Sequence, residues 1–294
     1  MAIPPARRVK HERQIMSTQA DIAEPKKLKQ EHNIVSQAEW IAARRDLLKK
    51  EKESTRLLDE LSAERRKLPW VKIEKNYLFD APGGKVTLSE LFAGRNQLVI
   101  YHFMFGPDWQ EGCPSCSFVS DHLGGALPHL AARDVTLAVV SRAPLAKLEA
   151  FKKRMGWRFQ WVSSNGGDFN ADFHVSFTDA ELAQGKVNYN YTMQEFPSAE
   201  APGMSVFFKD AAGDVFHTYS TYGRGLDRLL GTYTILDMTP KGRDEDDLGF
   251  SMEWIRYHDR YGSNEFADAD KPYWPEVAEA GSGGCGCASE AAKA

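Results

Sequence analysis

The stretch QLVIYHFMF, residues 97–105, constrains this chain more than any other: nine residues in a row, almost all aliphatic or aromatic. A half-exposed strand alternates polar and apolar residues. A continuous apolar run bounded by turn residues suits a strand covered on both faces, as in a sheet with helices on either side. The run breaks at Gly106-Pro107 and, after the loop GPDWQEG, reaches Cys113-Pro114-Ser115-Cys116. FVSDHLGGALPHLAARD then reads as a helix interrupted at Gly124-Gly125 and Pro128. VTLAVVS follows as a second buried strand, PLAKLEAFKKRMG as a helix and FQWVSS as a third strand. This order implies a parallel core joined by crossover helices.

A Cys-x-x-Cys pair that follows a buried strand and opens a helix sits in a thioredoxin-like context. The first turn of a helix presents unpaired N–H groups and a partial positive charge, which stabilise a thiolate and lower the pKa of a cysteine placed there. The i, i+3 spacing brings the second thiol within reach of the first. Cys113 is therefore the expected nucleophile toward a substrate disulfide or thiol, and Cys116 the thiol that resolves the mixed disulfide. Pro114 suits the first helical position. A structural zinc site needs four ligands, usually from two such knuckles; here there is one, with His122 and His129 on the helix that follows. No metal and no other cofactor is expected.

Around this core, VKIEKNYLFDAPGGKVTLSELF reads as two short strands about a Pro-Gly-Gly turn, with a short helical turn beginning near Thr87. GMSVFFKDAAGDVFHTYS reads as a β-hairpin that closes the sheet. The aromatic-rich segment between FQWVSS and that hairpin is too long for an ordinary connection and is expected to be an ordered insertion. SMEWIRYHDRYG is expected to form a final helix. Before the core, Ser36 and Glu39 form a capping box at the head of a helix carrying Trp40, Ile41, Leu47, Leu48, Leu57, Leu58 and Leu61, ended by Pro69. Its thin apolar stripe suits packing on the following domain or a homodimer through this helix. The expected division is a disordered extension 1–35, a helical arm 36–68, a thioredoxin-like domain 69–262 and a flexible tail 263–294.

Composition narrows the function. The 294 residues are 42% hydrophobic and 27% charged. No apolar run approaches the roughly 20 residues a spanning helix needs. The basic N-terminus contains no apolar stretch of a secretory signal, so a cytoplasmic location is expected. The net charge of -4 hides an uneven distribution: residues 1–68 hold 16 Lys/Arg against 11 Asp/Glu, and the remainder 21 against 30. Because Glu is interleaved with the basic residues and Trp40 is the lone aromatic there, this arm reads as a solvated helical face, and no nucleic-acid partner is expected. Four cysteines do not make a disulfide framework, and in a reducing compartment a close pair points to chemistry.

The blocks YHFMFGPDWQEGCPSCSF, DVTLAVVSRAPLAKLEAFKKRMGW, GGDFNADFHVSFT, APGMSVFFKDAAGDVFHTYSTYGRGLD and LLGTYTILDMTPKGRDED closely resemble a bacterial family of predicted dithiol-disulfide oxidoreductases, domain of unknown function eight-nine-nine. The resemblance runs from about Ser36 to about Trp254. It implies a thioredoxin-like three-layer α/β/α sandwich with an N-terminal helical extension and an insertion before the closing hairpin, and a thiol oxidoreductase role without an assigned substrate. The lead-in YLFDAPGGKVTLSELFAGRNQLVIYHF is also similar to that of peroxiredoxin-like proteins. Their peroxidatic motif, P-x-x-x-T/S-x-x-C, is not matched: Gly106 and Gln110 stand at the Pro and Thr/Ser positions before Cys113. A hydroperoxide reductase is thus the second expectation, and a redox-inactive binding protein of the same fold the third.

Likeness to thioredoxins implies two further positions. Their buried carboxylate beneath the dithiol, a proton acceptor for the second cysteine, corresponds by strand alignment to His102, whose alternative role is an inert hydrogen-bonded core histidine. Their cis-proline opposite the dithiol corresponds to Pro202, although Gly203 departs from the usual following residue. Beyond these blocks, Cys285 and Cys287 form a tail pair that could exchange electrons with Cys113 and Cys116, as cysteine tails do in some flavin disulfide reductases. Soft-metal binding and a functionless tail are the competing readings.

Overall fold

The structure, a computed structural model, describes residues 32–261. It begins with helix α1, Gln37–Arg66, whose cap forms as the sequence predicts: the Glu39 amide donates to Ser36 Oγ, and the Ser36 amide donates to the Glu39 carboxylate at 2.9 Å. No residue of α1 is buried, and Trp40, Leu47, Leu57 and Leu61 remain exposed along it.

Ten strands follow: β1 Val71–Lys72, β2 Leu78–Ala81, β3 Gly84–Thr87, β4 Gln97–His102, β5 Val135–Ser141, β6 Gln160–Ser163, β7 Val187–Tyr189, β8 Thr192–Gln194, β9 Gly203–Lys209 and β10 Val215–Tyr222. Between and beyond them lie α2 Pro114–Asp121, α3 Leu127–Ala131, α4 Leu145–Arg154, α5 Phe169–Asp172, α6 Asp179–Ala183 and α7 Gly231–Leu236. Eight strands form one sheet in the order β1-β10-β9-β4-β5-β6-β2-β3, with β7 and β8 paired separately. Strands β4, β5 and β6 are parallel, and the β9–β10 hairpin joins antiparallel to β4. This is the mixed, thioredoxin-like α/β sandwich expected, with β4 near its centre.

Both crossovers run in one direction across the sheet, and right-handed connections of that kind put their helices on one face. Phe118 and Val119 of α2 accordingly pack with Leu148 and Phe151 of α4, over Tyr101, Phe103 and Trp161. The opposite face holds Leu98, Ile100, Val140 and Phe207 beneath Phe92, Phe169 and Phe173. Strand alternation along β4 separates the two sets. The continuous apolar run of residues 97–105 is thus the signature of a strand with a core on each side.

The insertion is ordered, carrying α5, α6 and the β7–β8 hairpin. At its end residues 199–201 pair back on 175–177: Phe177 N donates to Ala199 O and Ala201 N to Val175 O, both at 2.9 Å. The helix expected over SMEWIRYHDRYG does not form; its described part is a run of turns with a single 3-10 turn at His258–Arg260. Tertiary contacts override its helical pattern. Met252 takes a positive φ of 72°, its amide and the Trp254 indole N–H both donate to Glu245 Oε1, and Ile255 and Tyr257 are buried.

Candidate active site

Helix α2 opens at the dithiol. Cys113 is its N-cap with extended backbone, Pro114 takes the first helical position, and the Cys113 carbonyl accepts from Ser117 N at 2.9 Å and Ser117 Oγ at 3.0 Å. The Cys113 amide, which the helix leaves unpaired, donates to Met104 O at 3.0 Å and ties the helix start to the end of the β4 segment. Gly112 is required just before it: a Cβ there would lie 2.5 Å from the Phe103 ring. Tyr257 Oη donates to the Gly112 carbonyl at 2.6 Å, and Lys147 Nζ donates to the carbonyls of Pro107 and Trp109, so the loop 106–112 is pinned from two sides. Arg154 adds a third tie, pairing with Glu111 and with Asp259.

Both cysteines are free thiols, Cys113 partly exposed and Cys116 buried. Their environments push them apart. Donation from the Cys116 thiol lowers the Cys113 pKa, and although burial opposes it, the N–H groups of Cys116 and Ser115 and the Ser115 hydroxyl add to the lowering, leaving it at about 7. Burial drives Cys116 well above the ordinary range and the neighbouring Cys113 charge raises it further, against weaker lowering by Tyr101 and by the Met104 amide, which donates to its sulfur at 3.4 Å. The pair therefore shares one negative charge near neutral pH, held mainly on Cys113.

His102 does not lie beneath the dithiol. It faces the other side of the sheet, stacked on Phe173 with ring centroids 5.7 Å apart and within 5.5 Å of Phe169. Its Nε2 is 2.8 Å from Ser205 Oγ, which bonds onward to Ser220 Oγ, and that in turn meets His217 Nε2. Burial, with the charge of His217 as a lesser cause, lowers its pKa to about 3, so it remains neutral. The cause of the misplacement is parity: Cys116 packs with Tyr101 and Phe103, and a shift of one residue along a strand changes face. The side chain of β4 that does reach the dithiol is Tyr101, fully buried, with a hydroxyl that has no hydrogen-bond partner. That hydroxyl is close enough to Cys116 to favour its thiolate. The right-handed crossover of α2 over the odd-numbered face was the signal that could have singled it out.

Pro202 lies beside the dithiol, lining a cavity with Ser115 and Cys116, but its peptide bond is trans: the described residues contain no cis bond. Because residues 199–201 arrive already extended, paired on 175–177, the chain passes straight into β9. Gly203 is glycine for a steric reason, since a Cβ there would lie 2.7 Å from the Tyr222 ring. Tyr189, from the insertion, donates its hydroxyl to Pro202 O at 2.7 Å and accepts from Gly223 N at 2.9 Å, bracing both sides of the cavity. His122 is engaged with Phe118 O and Thr232. Cys285 and Cys287 lie outside the described residues.

The cavity measures about 730 Å³ and has Tyr101, Met104, Ser115, Cys116 and Pro202 among its walls; Cys113 is not one of them. Val119 of α2 joins them, and the C-terminal segment supplies the remainder, including Arg224, Tyr233, Lys241 and Arg243. None of these positions was singled out in the sequence, because the segment reaches the site only through tertiary packing.

The model of a bacterial protein family of unknown function, DUF899, matches residues 29–261. No curated protein matches the chain. Among solved structures, Xanthomonas campestris peroxiredoxin Q is similar at 16% identity, over 53% of this chain and 87% of that one, with a TM-score of 0.35. The peroxidoxin BcpB of Mycobacterium tuberculosis shares 15% identity over 56% of this chain and 95% of its own, with a TM-score of 0.37. A reduced Plasmodium vivax 2-Cys peroxiredoxin shares 17% over 58% and 93%, with a TM-score of 0.34.

Proposed function

The chain belongs to the bacterial family of unknown function DUF899, and from that premise we propose that it is a thiol-disulfide oxidoreductase acting through Cys113 and Cys116. One observation carries the reading: two thiols one helical turn apart, the outer one lowered to about 7 at a helix start and the inner one buried and raised. The Cys113 thiolate attacks one sulfur of a substrate disulfide, forming a mixed disulfide and expelling the other half as a thiolate that takes a proton from solvent. Cys116 then gives up its proton and attacks Cys113 Sγ, releasing the second half and leaving a Cys113–Cys116 disulfide. The substrate is reduced by two electrons and the protein oxidised by two; the reverse sequence oxidises a dithiol.

Electrostatics favour this division of labour. At pH 7 about half of Cys113 is thiolate, and a nucleophile with a pKa near ambient pH attacks fastest. Cys116 is protected from side reactions by burial and becomes nucleophilic beside the Met104 amide and the Tyr101 hydroxyl. For the hydroperoxide reductase reading, Gly106 and Gln110 in place of the motif's Pro and Thr/Ser withhold the hydroxyl that a peroxidatic cysteine would use. The test is trapping. Cys116→Ser should accumulate a stable mixed disulfide at Cys113 when mixed with a disulfide substrate, and Cys113→Ser should exchange slowly. Equal reactivity of the two single-cysteine variants would sink the assignment, and peroxide consumption that survives loss of Cys116 would favour the peroxidase.

A further inference from the structure

The fold leaves helix α1 bare. Its 30 residues run for about 45 Å, and none of them is buried. Its last turn touches the sheet through Arg65, whose guanidinium lies over the Tyr219 ring at 4.9 Å. Helices in folded proteins draw most of their stability from packing an apolar face. Here Trp40, Leu47, Leu58 and Leu61 are 42–54% exposed. They are not scattered. Trp40, Arg44, Leu47, Glu51, Ser54, Leu58, Leu61 and Arg65 follow one another at alternating steps of four and three residues, the spacing of a coiled-coil seam.

We propose that α1 pairs with α1 of a second copy of this chain as an antiparallel two-helix coiled coil, so that the protein is a dimer joined through its arms. Charge sets the direction. Parallel helices in register would bring Arg44, Glu51 and Arg65 each against its own kind in the seam, and like charges so placed repel. Antiparallel helices avoid all three clashes. Leu47 of one copy then meets Leu58 of the other, Arg44 lays its aliphatic stem on Leu61, Glu51 faces the Ser54 hydroxyl, and Trp40 meets Arg65 as a cation–π pair. The two-fold axis makes each layer occur twice. Outside the seam, residues 41–50 hold four Lys/Arg and one Asp, while residues 55–64, which lie opposite them, hold three Asp/Glu and one Arg. Each basic half is thus laid along an acidic half. Past the ends of the helix, the exposed Ile34 and Val35 of one copy are carried toward the exposed Trp70 and Val71 of the other, which extends the apolar contact. The pairing does not depend on the chemistry of the dithiol.

The experiment uses the full chain. Light scattering after size-exclusion chromatography should give twice the chain mass, and the double variant Leu47→Glu, Leu58→Glu should give the single chain mass while the rate of Cys113 alkylation changes less than twofold. Glu is a good helix former, so the change removes the seam and not the helix propensity. A second measurement leaves the rest of the chain untouched. A photoreactive benzophenone side chain is placed at position 47, and the adducts are mapped by peptide mass spectrometry. Cross-links should join two chains and fall around Leu58, which within one helix is 11 residues and about 16 Å away, out of reach. A single-chain mass for the unaltered protein, a dimer that survives the double variant, or cross-links that fall around residue 47 of the second copy or outside α1 would overturn the proposal.

Discussion

Replacing Tyr101 by Phe deletes one oxygen from the core. Since the hydroxyl is buried and has no hydrogen-bond partner, its loss removes an unsatisfied group, and stability should hold or rise by about 1 kcal/mol. The chemistry should go the other way. When Cys116 ionises, the hydroxyl beside it favours the thiolate. A hydrogen bond to a charged group is worth about 1.5–3 kcal/mol, so removing that donor raises the Cys116 pKa further and cuts the thiolate population at fixed pH by about ten- to a hundredfold. A less acidic thiolate is intrinsically more nucleophilic, with a Brønsted coefficient of about 0.4–0.5, which returns nearly half of that loss. The net effect on resolution at fixed pH is a slowing of about three- to tenfold. An aromatic disulfide reagent separates the steps in a stopped-flow trace: attack by Cys113 releases the first chromophore, and resolution by Cys116 the second. Tyr101→Phe should slow the second phase alone. His102→Gln, on the opposite face, should leave both phases unchanged. An unaltered second phase in Tyr101→Phe, or equal slowing of both, would refute the coupling between that hydroxyl and Cys116.

Other outcomes follow from the same geometry. Alkylation of Cys113 followed against pH should show a midpoint near 7, and Cys116→Ala should move it upward, because the Cys116 thiol is the largest contribution to the lowering. Chemical denaturation should show Gly203→Ala less stable by about 1–3 kcal/mol, since the new Cβ would press on the Tyr222 ring. His102, held neutral with a folded pKa lowered from 6.5 to about 3, gives the protein an acid sensitivity. Between those values the unfolded chain binds a proton that the folded chain does not, so stability should fall as pH drops through that window. In His102→Gln the slope should be smaller by up to one proton.

The sheet was legible because burial leaves a strong pattern. QLVIYHFMF and VTLAVVS could hardly be anything but strands covered on both faces, and Ser36 with Glu39 marked the head of α1 to within a residue. The dithiol was legible because its chemistry is local: spacing, proline and helix start lie within four residues. What lay one residue away was not. The choice between Tyr101 and His102 depends on which face α2 covers, a property of crossover handedness and not of β4 itself. The bond before Pro202 depends on the pairing of residues 199–201 with 175–177, which no local pattern announces. The cavity wall depends on a C-terminal segment whose helical appearance is overridden by Glu245, Met252 and Tyr257.

The most direct test is a redox titration of the full chain in thiol-disulfide buffers, read by alkylation and peptide mapping. A reversible disulfide linking Cys113 to Cys116, with a two-electron response of about 30 mV per tenfold change in the ratio of oxidised to reduced protein, is the predicted result. Two cysteines that stay alkylatable across the whole range, or a Cys113 that oxidises without ever linking to Cys116, would contradict it.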